Sequence, residues 1–247
     1  MNDLYLTTTP TADPRVFNTY WMTGLIQKGR VSVTVPRLDD ARTAAELAAA
    51  QYLLAVKNVC GHNKAGAGLR IYTSSGTIPE LMAGISPKSY LVPYANFLRT
   101  RFLGAEVQHC ESPYPWADEL CESQVDFLDV PKPSVTVLDV SGGGHVELTA
   151  HAVEQYVARF DRKPEKAWRE LTRIARDVQP AVLLNRNVMN DIKHRRPGRY
   201  ALDEKRSVLL VIAEPDRIGR LPRLVTVVHP ESNARVVATN ALAAASA

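Results

Sequence analysis

LYLTTTPTADPRVFNTYWMTGLIQKGRVSVTVPRLDDARTAAELAAA, residues 4–50, decides how the first half of the chain is built. Three of its stretches, 4–9, 15–24 and 30–36, are rich in β-branched and aromatic residues and are separated by turns that carry Pro, Asp or Gly. They predict three strands in succession. Asp39 and Asp40 then open an Ala-rich run, ARTAAELAAAQYLLAVKNV, with Ala45, Leu47, Leu53 and Leu54 inside it. Good helix formers with acids at the positive end predict a long helix. Further along, a strand is expected at 69–73, a turn and helix at 74–84, a helix at 94–102, a strand at 105–109 and a last helix at 115–123. The predicted order is β-β-β-α-β-α-α-β-α.

At 129–134, DVPKPS, two prolines in three residues stop either a helix or an inner strand. The expected division is a domain at 1–129, a second at 134–236 and a flexible tail at 237–247. In the second half, strands at 134–140 and 144–149 precede helices at 151–160 and 165–178, and extended segments follow at 181–185, 207–214 and 223–230. The fold class is therefore α/β with a mixed sheet and flanking helices, then α+β with helices before a sheet. That sheet is expected to be mostly antiparallel, because the loop between its last two strands is too short for a crossover helix. The tripeptide of glycines at 142–144 is read as a hairpin turn, since no Gly-Lys-Ser/Thr follows it.

The chain has 247 residues, 45% hydrophobic and 23% charged, in the range of globular proteins. No apolar run nears the roughly 20 residues that span a bilayer, and the polar N-terminus has no secretory pattern, so a cytoplasmic protein without membrane contact is expected. Cys60, Cys110 and Cys121 are odd in number and widely spaced, which predicts free thiols. Cys60-Gly-His62 and His109-Cys110 lack a partner pair, so neither a zinc site nor any other cofactor is expected. Net charge is +4, unevenly held: residues 1–130 carry 11 Lys/Arg against 13 Asp/Glu, residues 131–247 carry 19 against 13. The basic half suits a polyanion, RNA first and an acidic, antitoxin-like protein second.

Glu46 on the helix after the third strand, and Trp116-Ala-Asp-Glu-Leu120 with its acid Asp118, together with the strand order, make residues 4–126 similar to the ribonuclease H-like fold. That family converges about four carboxylates on two Mg²⁺ ions. Here the first strand offers Leu4-Tyr-Leu-Thr-Thr-Thr9, and the fourth ends Tyr72-Thr-Ser-Ser75, where the resemblance implies two further acids. Hydroxyls bring no formal charge, so the site reads as degenerate, without cleavage of an RNA:DNA hybrid. Glu46 and Asp118 also read simply as a solvated helix residue and a helix acid favoured by the dipole.

In the second half, His151, Gln155 and Arg159 lie four apart on one helical strip, with Val153, Tyr156, Val157 and Phe160 on the other side and Thr149 as N-cap. Residues 185–200 hold Arg186, Lys193, His194, Arg195, Arg196 and Arg199 against one acid, Asp191, and end at Tyr200. This segment is read as a loop suited to phosphate contacts. Helix order and residue type make 148–229 resemble the RelE/barnase/colicin-like ribonuclease toxins, the segments being Leu148–Arg159 and Leu224–Val228. That resemblance implies metal-independent cleavage: a base takes the ribose 2′-hydroxyl proton, the oxygen attacks phosphorus and an acid protonates the leaving 5′-oxygen. His151 is the candidate acid or base, Arg159 and Arg186 would neutralise phosphate, and Tyr200 and Thr226 would orient it. Lys193, Arg195, Arg196 and Arg199 would bind the backbone. An endoribonuclease is the first functional expectation; a nucleic-acid-binding protein without turnover, or a module docking a protein partner, are the alternatives.

Overall fold

A computed structural model of the chain describes residues 2–24, 27–61, 65–110, 125–183, 198–215, 217–230 and 236–238. They fall into two compact units, Met1–Val135 and Thr136–Ala247.

The first unit runs β1 (Asn2–Pro10), β2 (Val16–Thr23), β3 (Gln27–Thr34), α1 (Ala41–Gln51), β4 (Leu69–Thr73), α2 (Thr77–Ala83), α3 (Val92–Thr100), β5 (Glu106–His109) and β6 (Val125–Asp129). Its six-stranded sheet has the order β5-β4-β1-β2-β3-β6. β1, β2 and β3 form an antiparallel meander. β4 joins β1, β5 joins β4 and β6 joins β3, each in parallel. Alternation along β1 and β3 turns Leu4, Leu6, Val31 and Val33 to one face, all fully buried. α1 covers that face, packing on β1, β2 and β3. Ala44, Ala45, Ala48 and Ala49, none above 6% exposed, let the helix axis approach the sheet. The helix then widens into a π turn at Tyr52–Val56 that still buries Leu53 and Leu54.

β6 is absent from the sequence expectation. Its burial does not alternate cleanly and Phe127 is 83% exposed, so VDFLD shows no half-buried pattern; the ladder to β3, about a hundred residues away, defines it as a strand. The helix expected at 115–123, and Asp118 with it, lies outside the described residues.

The second unit runs β7 (Val137–Val140), β8 (Gly144–Leu148), α4 (Ala150–Arg159), α5 (Pro164–Asp177), β9 (Gln179–Leu183), β10 (Gly198–Asp203), β11 (Val208–Ala213), β12 (Arg223–Val228) and β13 (Val236–Ala238). Its seven-stranded sheet has the order β13-β9-β10-β11-β12-β8-β7. Among the described residues all its pairings but one are antiparallel, in line with a mostly antiparallel sheet; what is corrected is the expectation that the sheet follows the helices. The β7–β8 hairpin, turning through Ser141-Gly142-Gly143, belongs to the same sheet as the later strands, and β8 meets β12 in parallel, so the sheet is mixed. The connection from β8 to β12 runs through α4, α5, β9, β10 and β11, long enough to bring the two strands side by side in parallel. β11 sits in the middle, and Val208–Ile212 are buried at every position, which is why that stretch is a continuous apolar run.

Arg199 and Tyr200 are also corrected: they lie in β10 rather than in a loop, with Tyr200 opposite Val211 on one side and Ala181 on the other. Glycine and arginine open that strand, so only its partners specify it. β13 is a third unexpected strand, after β6 and β10, and pairs with β9.

β8 pairs with β12 only at Arg223 and Leu224. α4 engages the β12 carbonyls from there onward. The Thr149 hydroxyl donates to the Leu224 carbonyl at 2.7 Å and accepts from the Ala152 amide at 3.2 Å, capping the helix as expected. Ten residues on, Arg159 donates to the Val227 carbonyl at 2.8 Å. Thr149→Ala removes both bonds and should cost about 1.5 kcal/mol in urea unfolding, with Thr149→Ser restoring most of it.

Candidate functional site

Glu46 is fully buried on the sheet-facing side of α1, where Thr8 of β1 and the end of β4 meet it. Its Oε1 accepts the Ser74 amide at 2.6 Å and its Oε2 accepts the Ser74 hydroxyl at 2.5 Å. Ser74 Oγ in turn receives the Thr8 amide and an Arg42 guanidinium N–H, both at 3.2 Å. Around this centre Thr8 and Thr19 share a hydroxyl bond at 3.0 Å, and Thr43 bonds Ser75 at 2.9 Å. Thr8, Thr19, Thr43 and Thr73 are all buried. Adjacent parallel strands β1 and β4 place Thr8 and Ser74 side by side, and the helix that crosses over them adds Glu46.

The reading of Glu46 as a solvated helix residue is thereby corrected; the carboxyl lies inside the unit. Burial raises its pKa, opposed by the two bonds from Ser74 and, more weakly, by Arg42 and Thr8. Thr8 and Ser74 occupy the places where the sequence suggested acids were missing, and both supply neutral oxygen. A divalent cation here would meet one carboxylate already holding two donors, with no other formal negative charge in the cluster among the described residues. Among the described residues, no three His, Cys, Asp or Glu side chains are arranged to hold a metal ion.

In the second unit the structure joins some of the sequence-predicted residues. Arg159 Nη1 lies 3.2 Å from Thr226 Oγ1. Tyr200, Val211 and Thr226 form one lateral row across β10, β11 and β12, so Tyr200 and Thr226 share a sheet face. Tyr200 is half-buried among Leu202, Leu209 and Val211, and burial raises its pKa. His151 is exposed at the opposite end of α4 from Arg159, eight residues and roughly 12 Å of helix rise away. His229 is nearer: its Nε2 lies 3.2 Å from the Arg159 carbonyl and its ring packs on Phe160 at 3.9 Å between centroids. His229 escaped the sequence reading because it stands at the end of the extended segment 223–230, just past β12, with no motif around it.

Arg199 is engaged by Glu214 at 2.6 Å and by the Gly143 carbonyl at 3.2 Å. Its charge is compensated within the protein. Arg186, Lys193, His194, Arg195 and Arg196 lie outside the described residues. The turn-flanking His145 Nδ1 lies 2.5 Å from Asp139 Oδ1, both side chains largely exposed.

No family model matches the chain, and no curated protein matches it. Among solved structures it is similar to ribonuclease H1 from the halophilic archaeon Halobacterium salinarum NRC-1, at 13% identity and a TM-score of 0.33, over 53% of this chain and 86% of that one. A likeness this slight carries no weight for activity. No described helix is long and apolar enough to cross a membrane.

Proposed function

We propose that the chain is a nucleic-acid-binding protein whose first unit has a ribonuclease H-like frame without metal-dependent cleavage. The observation that carries the loss of cleavage is the Thr8–Glu46–Ser74 cluster, a single buried carboxyl bonded to neutral partners. The frame is supported by the sheet itself: an antiparallel β1–β2–β3 meander extended by β4 and β5, parallel to β1, on the β1 side. β6, beyond β3, is an addition to it. Nucleic acid is the partner favoured by the excess of base in residues 131–247.

The test is binding of labelled RNA, single-stranded DNA and an RNA:DNA hybrid by the purified chain, together with Mg²⁺ and Mn²⁺ titration by calorimetry. Binding with no hybrid cleavage and no metal heat is expected. Mg²⁺-dependent cutting of the hybrid would refute the cluster argument, and absence of binding to every polymer would refute the function.

A second reading, a toxin-type endoribonuclease independent of metal, is favoured by the Arg159–Thr226 contact and by Tyr200 in the same lateral row. In it His151 moves protons while Arg159 faces phosphate. It expects RNA cutting that survives EDTA and falls in His151→Ala. RNA left intact by the folded wild-type chain removes this reading.

A further inference from the structure

α5 carries four cations at intervals of three, four and three residues: Lys166, Arg169, Arg173 and Arg176. At 100° per residue they fall within an arc of about 80°, and ten residues of rise make the line about 15 Å long. All four are exposed. The opposite side of the helix is buried through Ala167, Leu171, Ile174 and Ala175, so the helix cannot turn its cations inward.

Among the described residues, none of these four side chains has an ion-pair or hydrogen-bond partner. The acids that could neutralise them are committed elsewhere or stand at the margin. Glu170 accepts the Tyr156 hydroxyl at 2.7 Å and faces Arg162 at 3.5 Å. Asp177 pairs with Arg206 at 2.8 Å. Glu165 flanks the line in the first turn without closing on Arg169, four residues ahead. Helix stability explains Arg176, near the negative end, but not Lys166, which stands in the first turn against the positive end of the dipole.

We infer that this outer face of α5 is a ridge that grips the phosphate backbone of a nucleic acid through Lys166, Arg169, Arg173 and Arg176. Three of the four are arginines, whose planar fork matches phosphate oxygens. A line of about 15 Å covers about four nucleotides of axial rise along one strand. Protein interfaces are anchored by buried aromatic or aliphatic side chains. None of the large hydrophobic side chains exposed in the described residues belongs to α5, so the ridge has charge without such an anchor. No amide lies along its line, and the acids that border it are Glu165 in the first turn, Glu170 held by Tyr156 and Asp177 paired with Arg206, so the ridge meets the backbone and is independent of sequence. The inference rests on the nucleic-acid reading above and locates the surface that would carry it.

The experiment measures fluorescence anisotropy of labelled duplex DNA, single-stranded RNA and an RNA:DNA hybrid from 50 to 200 mM salt. It compares the full chain with K166A/R169A/R173A/R176A, and circular dichroism checks that the variant folds. Alanine favours the helix, and the double variant R169Q/R173Q serves if the fourfold change fails to fold. The expected result is affinity lowered at least tenfold and a log–log salt slope shallower by about 0.7 to 0.9 for each phosphate that the variant no longer neutralises. Equal slopes for wild type and variant, with the wild type binding, overturn the ridge and leave the nucleic-acid reading standing. A wild-type chain that binds none of the three polymers overturns both. Displacement of RNA by polyglutamate at equal charge concentration overturns the assignment to phosphate.

Discussion

Glu46→Ala is expected to destabilise the first unit by about 3 kcal/mol, a large fraction of an ordinary domain's margin of roughly 5–15 kcal/mol. The loss has two sources. The Ser74 amide and hydroxyl lose their acceptors at 2.6 and 2.5 Å, and a cavity opens in a position with no exposure. Glu46→Gln keeps the volume and one acceptor, so a cost of about 1 kcal/mol or less is expected near neutral pH. The two variants separate further with pH. Burial raises the carboxyl above its ordinary value, so the native chain holds a proton that the unfolded chain has released in the window between the two. The corresponding stability is fully present below the unfolded value, is lost as pH rises through the raised native value, and is constant beyond it. Urea unfolding across that window should show wild type falling relative to Glu46→Gln as pH rises. Parallel curves for the two proteins would show that Glu46 is not raised, and a harmless Glu46→Ala would show that the cluster does not hold the core together.

Gly66→Ala should cost about 3 kcal/mol or more, through sterics rather than through broken bonds of its own. Gly66 has φ +83°, in the left-handed region, and a Cβ there would stand 2.6 Å from the Ala105 amide nitrogen and 2.8 Å from the Phe102 carbonyl oxygen. Those two atoms are hydrogen-bonded to each other at 2.8 Å, so neither yields without breaking the turn that leads into β5. Gly61→Ala is the control. It has φ +68° with nothing within 4 Å of the added carbon, so it bears the backbone cost alone, about 1 kcal/mol. Thermal or urea unfolding of the pair measures the difference. Equal effects would mean that the chain around Phe102–Ala105 relaxes freely.

Local chemistry made most elements legible. β1, β2 and β3 announce themselves by β-branched and aromatic runs between turns, α1 by alanine, α4 by its Thr149 cap and β11 by an apolar run without alternation. The lack of an acid along 4–9 and 72–75 was legible too, because a hydroxyl rather than a carboxylate is a fact of sequence. The burial of Glu46 was not visible. One acid in an alanine-rich helix looks solvated until β1 and β4 are set beside each other beneath it. The cations of α5 were present in PEKAWRELTRIARD with helical spacing, but their lack of partners among the described residues was not, since it depends on Glu170 and Asp177 being engaged by Tyr156, Arg162 and Arg206.

The same division runs through the fold. Composition, turn chemistry and periodicity act over a few residues, and by themselves they determined the element types of the meander, of α1, α4 and α5, and of the buried strand β11. The tertiary structure alone decided that VDFLD is a strand, that Arg199 and Tyr200 stand in β10, that β8 runs parallel to β12 and that Glu46 lies inside. Each of these is settled by a partner tens of residues away, through ladder bonds and desolvation. Such pairings leave no period in the local sequence, because their free energy appears only when the two segments have come together.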